Sequence, residues 1–240
     1  MFLYGKNSVY ERIKSNPQSI AKVYLQDNFD YPEIEKSIKS QRISEIRVSA
    51  KELSRIKRAD NLQGIVAQVN PFDYESFDKL LQKPVNERST LIFLDSIQDP
   101  HNLGSIIRTL ACFGGFVAVL HKHNSCEVNE TVLHVACGGE NFVPISMVAN
   151  LSSALVEAKK AGYWIAGAVV KGGEDVGKIS LPFPLCVVMG SEGEGLRHGV
   201  SKHLEIKVSL PMKGAALSFN LSVACAVLCY EINKQKDALN

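Results

Sequence analysis

Three short segments in the second half of this 240-residue chain combine polar side chains that could do chemistry with turn-forming residues. The first, residues 99–108, spaces its polar groups as Asn-x-Gly-x-x-x-Arg, from Asn102 to Arg108. A guanidinium group binds phosphate or carboxylate bidentately, and an asparagine amide both donates and accepts hydrogen bonds. On these residues alone, Arg108 could equally be a solvated surface residue. Asp99 followed by Pro100 is a plausible helix start, although Asn102 could also be the cap.

The second segment, residues 190–195, reads Gly-Ser-Glu-Gly-Glu-Gly and follows the apolar run at 185–189. Its three glycines permit positive φ and a close approach of the backbone to a ligand. The spacing is not Gly-x-Gly-x-x-Gly, and Glu192 and Glu194 would repel a phosphate, so a dinucleotide site is a poor match. A tight structural loop is the alternative interpretation.

The third segment joins Leu-Pro-Met at 210–212 to Leu-Ser-Phe-Asn-Leu-Ser at 217–222. Ser218 or Asn220 could cap a long final helix, because serine and asparagine are favoured N-cap residues. Each of the three segments joins a strand-like run to a helix-like stretch. In open α/β sheets such junctions are where ligands bind.

The elements that must position these segments form two units. Residues 1–72 are expected to form a small α/β domain, residues 73–89 a linker, and residues 90–240 a second domain. Apolar runs that do not alternate indicate a parallel sheet covered on both faces. Strands are expected at 21–25, 46–48, 64–69, 91–94, 116–120, 164–170, 185–189 and 206–210. Helices are expected at 8–15, 32–40, 50–58, 74–82, 103–113, 131–137 and 218–234.

Composition indicates an ordinary globular protein that is cytoplasmic and reduced. Apolar residues make up 45% of the chain, yet the sequence holds no run long enough to span a membrane. Six cysteines form no Cys-x-x-Cys pair, which disfavours a zinc ribbon, and no signal peptide opens the chain. Residues 1–70 carry 12 Lys and Arg against 8 Asp and Glu, so this part could attract a polyanion or could simply be solvated.

Taken together and in this order, the three segments resemble the signatures of the SpoU/TrmH RNA 2′-O-methyltransferases. Residues 134–144 also resemble a stretch of that family. Residues 4–9 and 63–67 resemble the ends of the L30e-type substrate-binding domain in the bacterial 23S rRNA guanosine-2′-O-methyltransferase branch. The resemblance implies an α/β fold in which a small L30e-like domain precedes a trefoil-knotted parallel-sheet domain.

The same resemblance implies methyl transfer from S-adenosylmethionine to a ribose 2′-hydroxyl, with a guanosine of 23S rRNA as the expected target. It also implies a homodimer formed through the knotted domain, with no metal and no membrane. The residues implied as catalytic are Asn102, Arg108, Glu192, Ser218 and Asn220. Those implied at the cofactor are Gly190, Gly195, Leu210, Met212, Leu217 and Phe219, the last standing where the family usually has leucine. Those expected to contact RNA are Lys51, Arg55, Lys57, Arg58 and Arg108.

Arg108 is expected to grip a substrate phosphate rather than to act as the general base, because a guanidinium stays protonated. Three alternatives remain open at this stage. The substrate could be tRNA, since both branches share the catalytic segments. The chain could be a non-catalytic RNA-binding factor of ribosome assembly on the same scaffold. It could also be a nucleotide-binding α/β enzyme, although it lacks Gly-x-x-x-x-Gly-Lys-Ser/Thr.

Overall fold

Residues 1–69 form a four-stranded mixed sheet with three helices in the computed structural model, which describes residues 1–83, 89–123, 125–215 and 217–238. The sheet order is β1-β4-β2-β3, with β4 antiparallel to both neighbours and β2 parallel to β3. The strands are β1 (Phe2–Tyr4), β2 (Ile20–Gln26), β3 (Glu45–Val48) and β4 (Ile65–Val69). The helices are α1 (Lys6–Ser15), α2 (Pro32–Ser40) and α3 (Ala50–Ile56).

The rest of the chain builds a seven-stranded sheet in the order β7-β6-β5-β10-β8-β11-β9, in which every pairing is parallel. Its strands are β5 (Thr90–Leu94), β6 (Phe116–His121), β7 (Ile145–Val148), β8 (Trp164–Ala168), β9 (Glu174–Asp175), β10 (Leu185–Met189) and β11 (Ile206–Ser209). The helices are α4 (Phe77–Leu81), α5 (Pro100–Phe113), α6 (Glu130–Ala136), α7 (Leu151–Lys160), α8 (His198–Ser201) and α9 (Leu221–Asp237).

Helices cover both faces of the large sheet, as the apolar runs predict. Every residue of β5, β6 and β10 is buried. One face packs with α5 and α9, and the other packs with α7 and α8, so the two faces lie in separate apolar clusters. A strand buried on both sides has no polar face, which is why its sequence does not alternate.

Five elements of the structure are not expected from the sequence, namely β1, β7, α7, α8 and β9. The signal for α7 is present in the chain, because Asn150 caps it and buried apolar residues recur at Leu151, Ala154, Leu155 and Ala158. The other four elements have four residues or fewer, too short for periodicity to detect. Within the described ranges, no helix is both long and apolar enough to cross a membrane.

The two sheets are joined by side-chain contacts between α1 or β1 and the segment around α6. Tyr4 and His134 stack with ring centroids 4.1 Å apart. Arg12 donates from Nη2 to Glu140 Oε1 at 3.0 Å, and both side chains are buried. Gly138 lies so close to α1 that a Cβ atom there would be 2.5 Å from Glu11 Cβ. The small domain therefore sits directly against the segment at 134–144.

The buried Arg12–Glu140 pair is only partly satisfied. Among the described residues, Arg12 Nε and Glu140 Oε2 have no hydrogen-bond partner. Burial raises the pKa of the Glu140 carboxyl above its ordinary value, and attraction to Arg12 offsets part of this rise. A carboxyl whose pKa is raised on folding contributes stability that is lost as pH rises through that pKa, so ionised Glu140 opposes folding at neutral pH and Arg12 reduces this cost.

Removing one member of this pair should cost far more stability than removing both. Arg12→Met is expected to lower the free energy of unfolding by about 3–5 kcal/mol at pH 7, because it leaves a buried carboxylate unpaired. The loss should shrink near pH 4, where that carboxyl is protonated. The double variant Arg12→Met/Glu140→Gln should recover most of it. Urea titrations at both pH values measure this, and equal losses in the single and double variants would contradict it.

Candidate active site

The helix that carries Asn102 begins at Pro100, so the start at Asp99-Pro100 is confirmed and the range 103–113 begins three residues late. Asp99 is its N-cap and accepts a hydrogen bond from the His101 backbone N–H at 2.9 Å. Asn102 therefore lies inside the first turn and is not the cap. Its amide is free to bond outside the helix, and the residue is buried.

Glu192 connects the three sequence segments through one carboxylate oxygen. Its Oε1 accepts hydrogen bonds from Asn102 Nδ2 at 3.2 Å, Asn220 Nδ2 at 2.8 Å and the Leu221 backbone N–H at 3.1 Å. The carboxylate thus lies at the N-terminus of α9, where the helix dipole favours negative charge. The Glu192 carboxylate therefore holds the Gly-rich loop at 190–195 against α5 and the N-terminus of α9.

Asn220 is the N-cap of α9, which begins at Leu221 instead of at residue 218. Its Oδ1 accepts from the Ser222 and Val223 backbone N–H groups, at 2.9 and 3.4 Å. Its Nδ2 also donates to Asn102 Oδ1 at 2.9 Å. The amide orientation is therefore fixed on both sides. Ser218, the other candidate cap, precedes the helix in an exposed segment.

The glycines of the second segment allow the backbone to pack closely against itself. A Cβ atom on Gly190 would lie 2.2 Å from the Gly195 carbonyl carbon, so the close backbone approach is to the chain itself and not to a ligand. Ser191 and Gly195 exchange two backbone hydrogen bonds of 3.2 and 3.1 Å. Gly193 and Gly195 have φ values of 92° and 68°. These hydrogen bonds and φ values are those of a tight structural loop, the alternative interpretation of this segment.

A methyl group at position 190 should disrupt this loop. Gly190→Ala is expected to raise the Kd for S-adenosylmethionine at least about tenfold. The added methyl group would clash with the backbone of Gly195, which must shift and so distort the cavity wall. Gly199→Ala is the matched control, since its Cβ would meet only Ser152 Oγ at 3.6 Å. Calorimetric titration of both variants measures this, and equal affinity in the two would show that the loop does not shape the cavity.

A cavity of about 1070 Å³ opens beside this loop at the carboxyl ends of β8, β10 and β11. All six residues expected at the cofactor line it, together with Glu192 and Ser218: Gly190, Gly195, Leu210, Met212, Leu217 and Phe219. Four of the six are large apolar side chains, and three of them, Met212, Leu217 and Phe219, are exposed. An apolar cavity of this size with backbone polar groups and a carboxylate fits a molecule that carries a nucleobase and a cationic centre.

Arg108 lies away from this cavity, although it belongs to the same helix as Asn102. It is exposed, and its Nη1 donates to Cys137 Sγ at 3.4 Å. It lines a separate cavity of about 400 Å³ with residues of α1, α6 and the turn at 138–142. Sulfur is a weak acceptor, so the guanidinium keeps donors for a ligand. Within one chain, the structure groups Asn102, Glu192 and Asn220 and leaves Arg108 apart.

Of the five basic residues expected to contact RNA, four lie on or just after α3, and three of these are exposed, namely Lys51, Arg55 and Arg58. Lys57 differs from them. Its ammonium group pairs with Glu130 of α6 and lies over the Tyr4 ring at 5.4 Å from the centroid. Lys57 thus connects the two domains.

Asp95 and Arg197 form a further contact at the site that the sequence did not lead us to expect. Asp95 directly follows β5 and is fully buried, and it holds the end of the Gly-rich loop through Arg197. Arg197 Nε donates to Asp95 Oδ1 at 2.6 Å, and the Arg197 backbone N–H donates to Oδ2 at 3.1 Å. A carboxylate at the carboxyl end of a buried strand is the signal that could have indicated it.

Comparison with known proteins matches both parts of the chain. The model of the SpoU rRNA Methylase family matches residues 89–230, and a model described as RNA 2′-O ribose methyltransferase substrate binding matches residues 2–75. The chain is 32% identical to a 23S rRNA (guanosine-2′-O-)-methyltransferase of Coxiella burnetii, over 98% of this chain and 96% of that protein. It is also 32% identical to a putative TrmH family tRNA/rRNA methyltransferase of Bacillus subtilis, with the same coverage.

Solved structures share the fold. The SpoU methyltransferase AviRb from Streptomyces viridochromogenes, in complex with AdoMet, matches with a TM-score of 0.83 at 19% identity, covering 99% of this chain and 91% of that one. An AdoMet-bound rRNA methyltransferase from Sinorhizobium meliloti matches with a TM-score of 0.79 at 21% identity, covering 97% and 86%. The expected fold class is confirmed, and a nucleotide-binding enzyme of another class is not supported. The chain belongs to the SpoU rRNA methylase family and is an S-adenosylmethionine-dependent RNA ribose 2′-O-methyltransferase.

Proposed function

We propose that this enzyme methylates the 2′-hydroxyl of a guanosine in 23S rRNA, in the cytoplasm. The observation that carries the proposal is the small domain placed against the catalytic one, with exposed Lys51, Arg55 and Arg58 on its surface. A separate RNA-holding domain suits a large folded substrate. The relative from Coxiella burnetii, similar over nearly its whole length, carries that activity in its name. Residues 1–72 are proposed to bind RNA, residues 73–89 to connect, and residues 90–240 to catalyse.

The enzyme is proposed to act as a homodimer whose active site uses both chains. Two observations support this. Arg108 and the cofactor cavity face different places in one chain. Val223, Val227 and Tyr230 recur on one face of α9 at helical spacing and are exposed. An exposed apolar stripe of this kind is typical of a surface that a second protein copy covers. Association through α9 would bring Arg108 of one subunit toward the cavity of its partner.

The proposed roles follow from the geometry of the described residues. Bound S-adenosylmethionine supplies an electrophilic methyl group on a sulfonium centre. Leu210, Met212 and Phe219 hold its apolar part, while Asn102, Glu192 and Asn220 keep the cavity wall in place. Arg108 binds a phosphate next to the reacting ribose and aligns the 2′-hydroxyl. The proton of that hydroxyl passes to a phosphate oxygen or to water, because the guanidinium does not accept it.

A variant without the three exposed basic residues should bind RNA more weakly. For Lys51→Ala/Arg55→Ala/Arg58→Ala, the slope of log affinity against log salt concentration is expected to become shallower by about two to three. Each phosphate contact that is lost means about one counterion fewer released on binding. The matched control is Lys122→Ala/Lys160→Ala/Lys202→Ala, which removes the same charge from exposed positions of the catalytic domain. Filter binding over a salt series measures both. An equal change in the two variants would place RNA elsewhere.

Tritium transfer from labelled S-adenosylmethionine tests the proposed substrate. Purified enzyme is incubated with unmodified large-subunit rRNA, small-subunit rRNA and bulk tRNA. Label on large-subunit rRNA, mapped to a guanosine, is the expected result. Label on tRNA would keep the chemistry and overturn the substrate assignment. Absence of label on every RNA, despite RNA binding, would favour a role in ribosome assembly without catalysis.

A further inference from the structure

Phe142 is an exposed aromatic ring in a segment whose neighbours are buried. Its side chain is 60% exposed, whereas Val143 and Ile145, which follow it, are 4% and 1% exposed. A single exposed apolar residue carries no meaning by itself. Its position does, because Phe142 lines both the 400 Å³ cavity that contains Arg108 and a second cleft, of about 600 Å³, between the two domains.

The backbone fixes Phe142 relative to Arg108. The short turn at Gly139–Asn141 packs directly on α5, where a Cβ atom at Gly139 would lie 3.1 Å from Arg108 Cα. The Phe142 N–H donates to the Gly139 carbonyl at 3.0 Å. Asn141 Nδ2 donates to the Gly138 carbonyl at 2.9 Å and holds the same turn. The turn that carries Phe142 is therefore held against α5, and its ring lines the same cavity as Arg108.

The cavity on the Arg108 side is suited to a phosphate. Arg108 and Glu11 are its charged residues among those described, and Glu11 Oε1 is paired with Lys14 Nζ at 2.6 Å. The charge of Arg108 is thus the one left for a ligand. A guanidinium beside an aromatic face matches one nucleotide, with its phosphate on the cation and its base on the ring.

The cleft on the other side of Phe142 is suited to a base edge and not to a phosphate. The amides of Asn16, Gln18 and Asn141 line it and offer both donors and acceptors. Asp73 and Glu75 also line it, and their carboxylates repel a phosphate but accept hydrogen bonds from the amino group of a base. Arg12 and Glu140 line it too, but they are buried and paired with each other. The two sides of the ring therefore differ in the way the two ends of a nucleotide differ.

We propose that Phe142 is an RNA-binding residue on which an unstacked base lies, next to the phosphate that Arg108 holds. The inference rests on the proposed function, because it needs Arg108 to bind RNA. It adds a base-stacking platform between the RNA-holding domain and the catalytic domain. Stacking on an aromatic side chain is the usual way in which proteins hold a single-stranded base without reading its sequence.

Three substitutions separate stacking from other roles. In full-length enzyme, Phe142→Ala and Phe142→Leu are expected to raise the KM for in vitro transcribed 23S rRNA by about 5- to 150-fold. Phe142→Trp should stay within about threefold of the wild type, because a larger aromatic face still stacks. The Kd for S-adenosylmethionine and the thermal midpoint should not change in any of them, since the ring is exposed and outside the cofactor cavity.

A spectroscopic readout is independent of turnover. The chain has one tryptophan, Trp164, so the wild type supplies the background signal. Phe142→Trp should lose additional fluorescence when the 23S rRNA transcript is added, because a stacked base quenches indole emission. If the transcript changes the fluorescence of Phe142→Trp no more than that of the wild type, the proposal is overturned.

The remaining outcomes are also decisive. If the wild type is active and Phe142→Ala has an unchanged KM, base stacking is overturned but the proposed function stands. If the wild type methylates no RNA, both the proposed function and base stacking are overturned. Wild-type behaviour of Phe142→Leu shows an apolar contact and not stacking. A change of oligomeric state in Phe142→Ala, at unchanged KM, shows that the ring contacts a second copy of the chain and overturns the proposal.

Discussion

Arg108→Ala is expected to lower kcat for RNA methylation by about 10²–10³-fold, the usual cost of losing one pre-positioned charged donor. Arg108→Lys should recover less than about a tenth of the wild-type rate, because an ammonium cannot reproduce a planar bidentate grip. Both variants should bind S-adenosylmethionine as the wild type does, since Arg108 does not line that cavity. Single-turnover methylation and calorimetric titration measure the two quantities separately.

The control variant removes a positive charge elsewhere in the same domain and leaves Arg108 in place. Lys160→Ala takes one exposed cation from the same domain, at the end of α7, and should leave kcat unchanged. Near-normal turnover in Arg108→Lys would argue against bidentate phosphate binding. A loss of cofactor affinity equal to the loss of rate would place Arg108 at the cofactor instead.

Asn220→Ala is expected to lower the free energy of unfolding by about 2–4 kcal/mol and to abolish most methyl transfer. About 1 kcal/mol comes from the lost cap of α9. The rest arises because the buried Asn102 Oδ1 loses its donor and Glu192 Oε1 loses one of its three. Chemical denaturation measures the first effect and tritium transfer the second.

Asn150→Ala provides the matched control, because Asn150 is also the exposed N-cap of a helix and accepts from the Ser153 N–H at 3.1 Å. It should cost about 1 kcal/mol and leave activity intact, since it caps α7 and nothing else. Equal losses of stability in the two variants would mean that Asn220 is only a cap. The bonds to Asn102 and Glu192 would then carry no net energy.

The parallel sheet and the ends of its strands could be predicted from the sequence, because long buried strands and turn-forming residues leave local signals. The expected cofactor residues line one cavity for the same reason, since each follows a strand of the large sheet. Gly190 shows where such reasoning stops. A glycine in a loop indicates that a close approach is needed, but only the fold shows that the approaching atoms belong to Gly195.

Relations between distant parts of the chain could not be predicted. Lys57 looks like any other cation of a basic helix, and its pairing with Glu130 depends on how the domains dock. Arg108 and Asn102 are six positions apart, yet Arg108 lines the 400 Å³ cavity whereas Asn102 bonds to Glu192 and Asn220. Six residues are not a whole number of helical turns, so the two side chains leave different faces of α5. Phe142 gives no local signal, since an exposed phenylalanine and a buried one are the same letter in the sequence.

A mixture of two impaired variants tests most directly whether one active site uses both chains. Arg108→Ala lacks the phosphate contact, and Gly190→Ala binds S-adenosylmethionine weakly, so methyl transfer is measured at a cofactor concentration well below the raised Kd of Gly190→Ala. Co-expressed and purified together, they should give about one quarter of wild-type methyl transfer, because half of the randomly paired dimers contain one intact composite site. Activity no higher than that of either variant alone would contradict the proposal and place Arg108 at the cavity of its own chain.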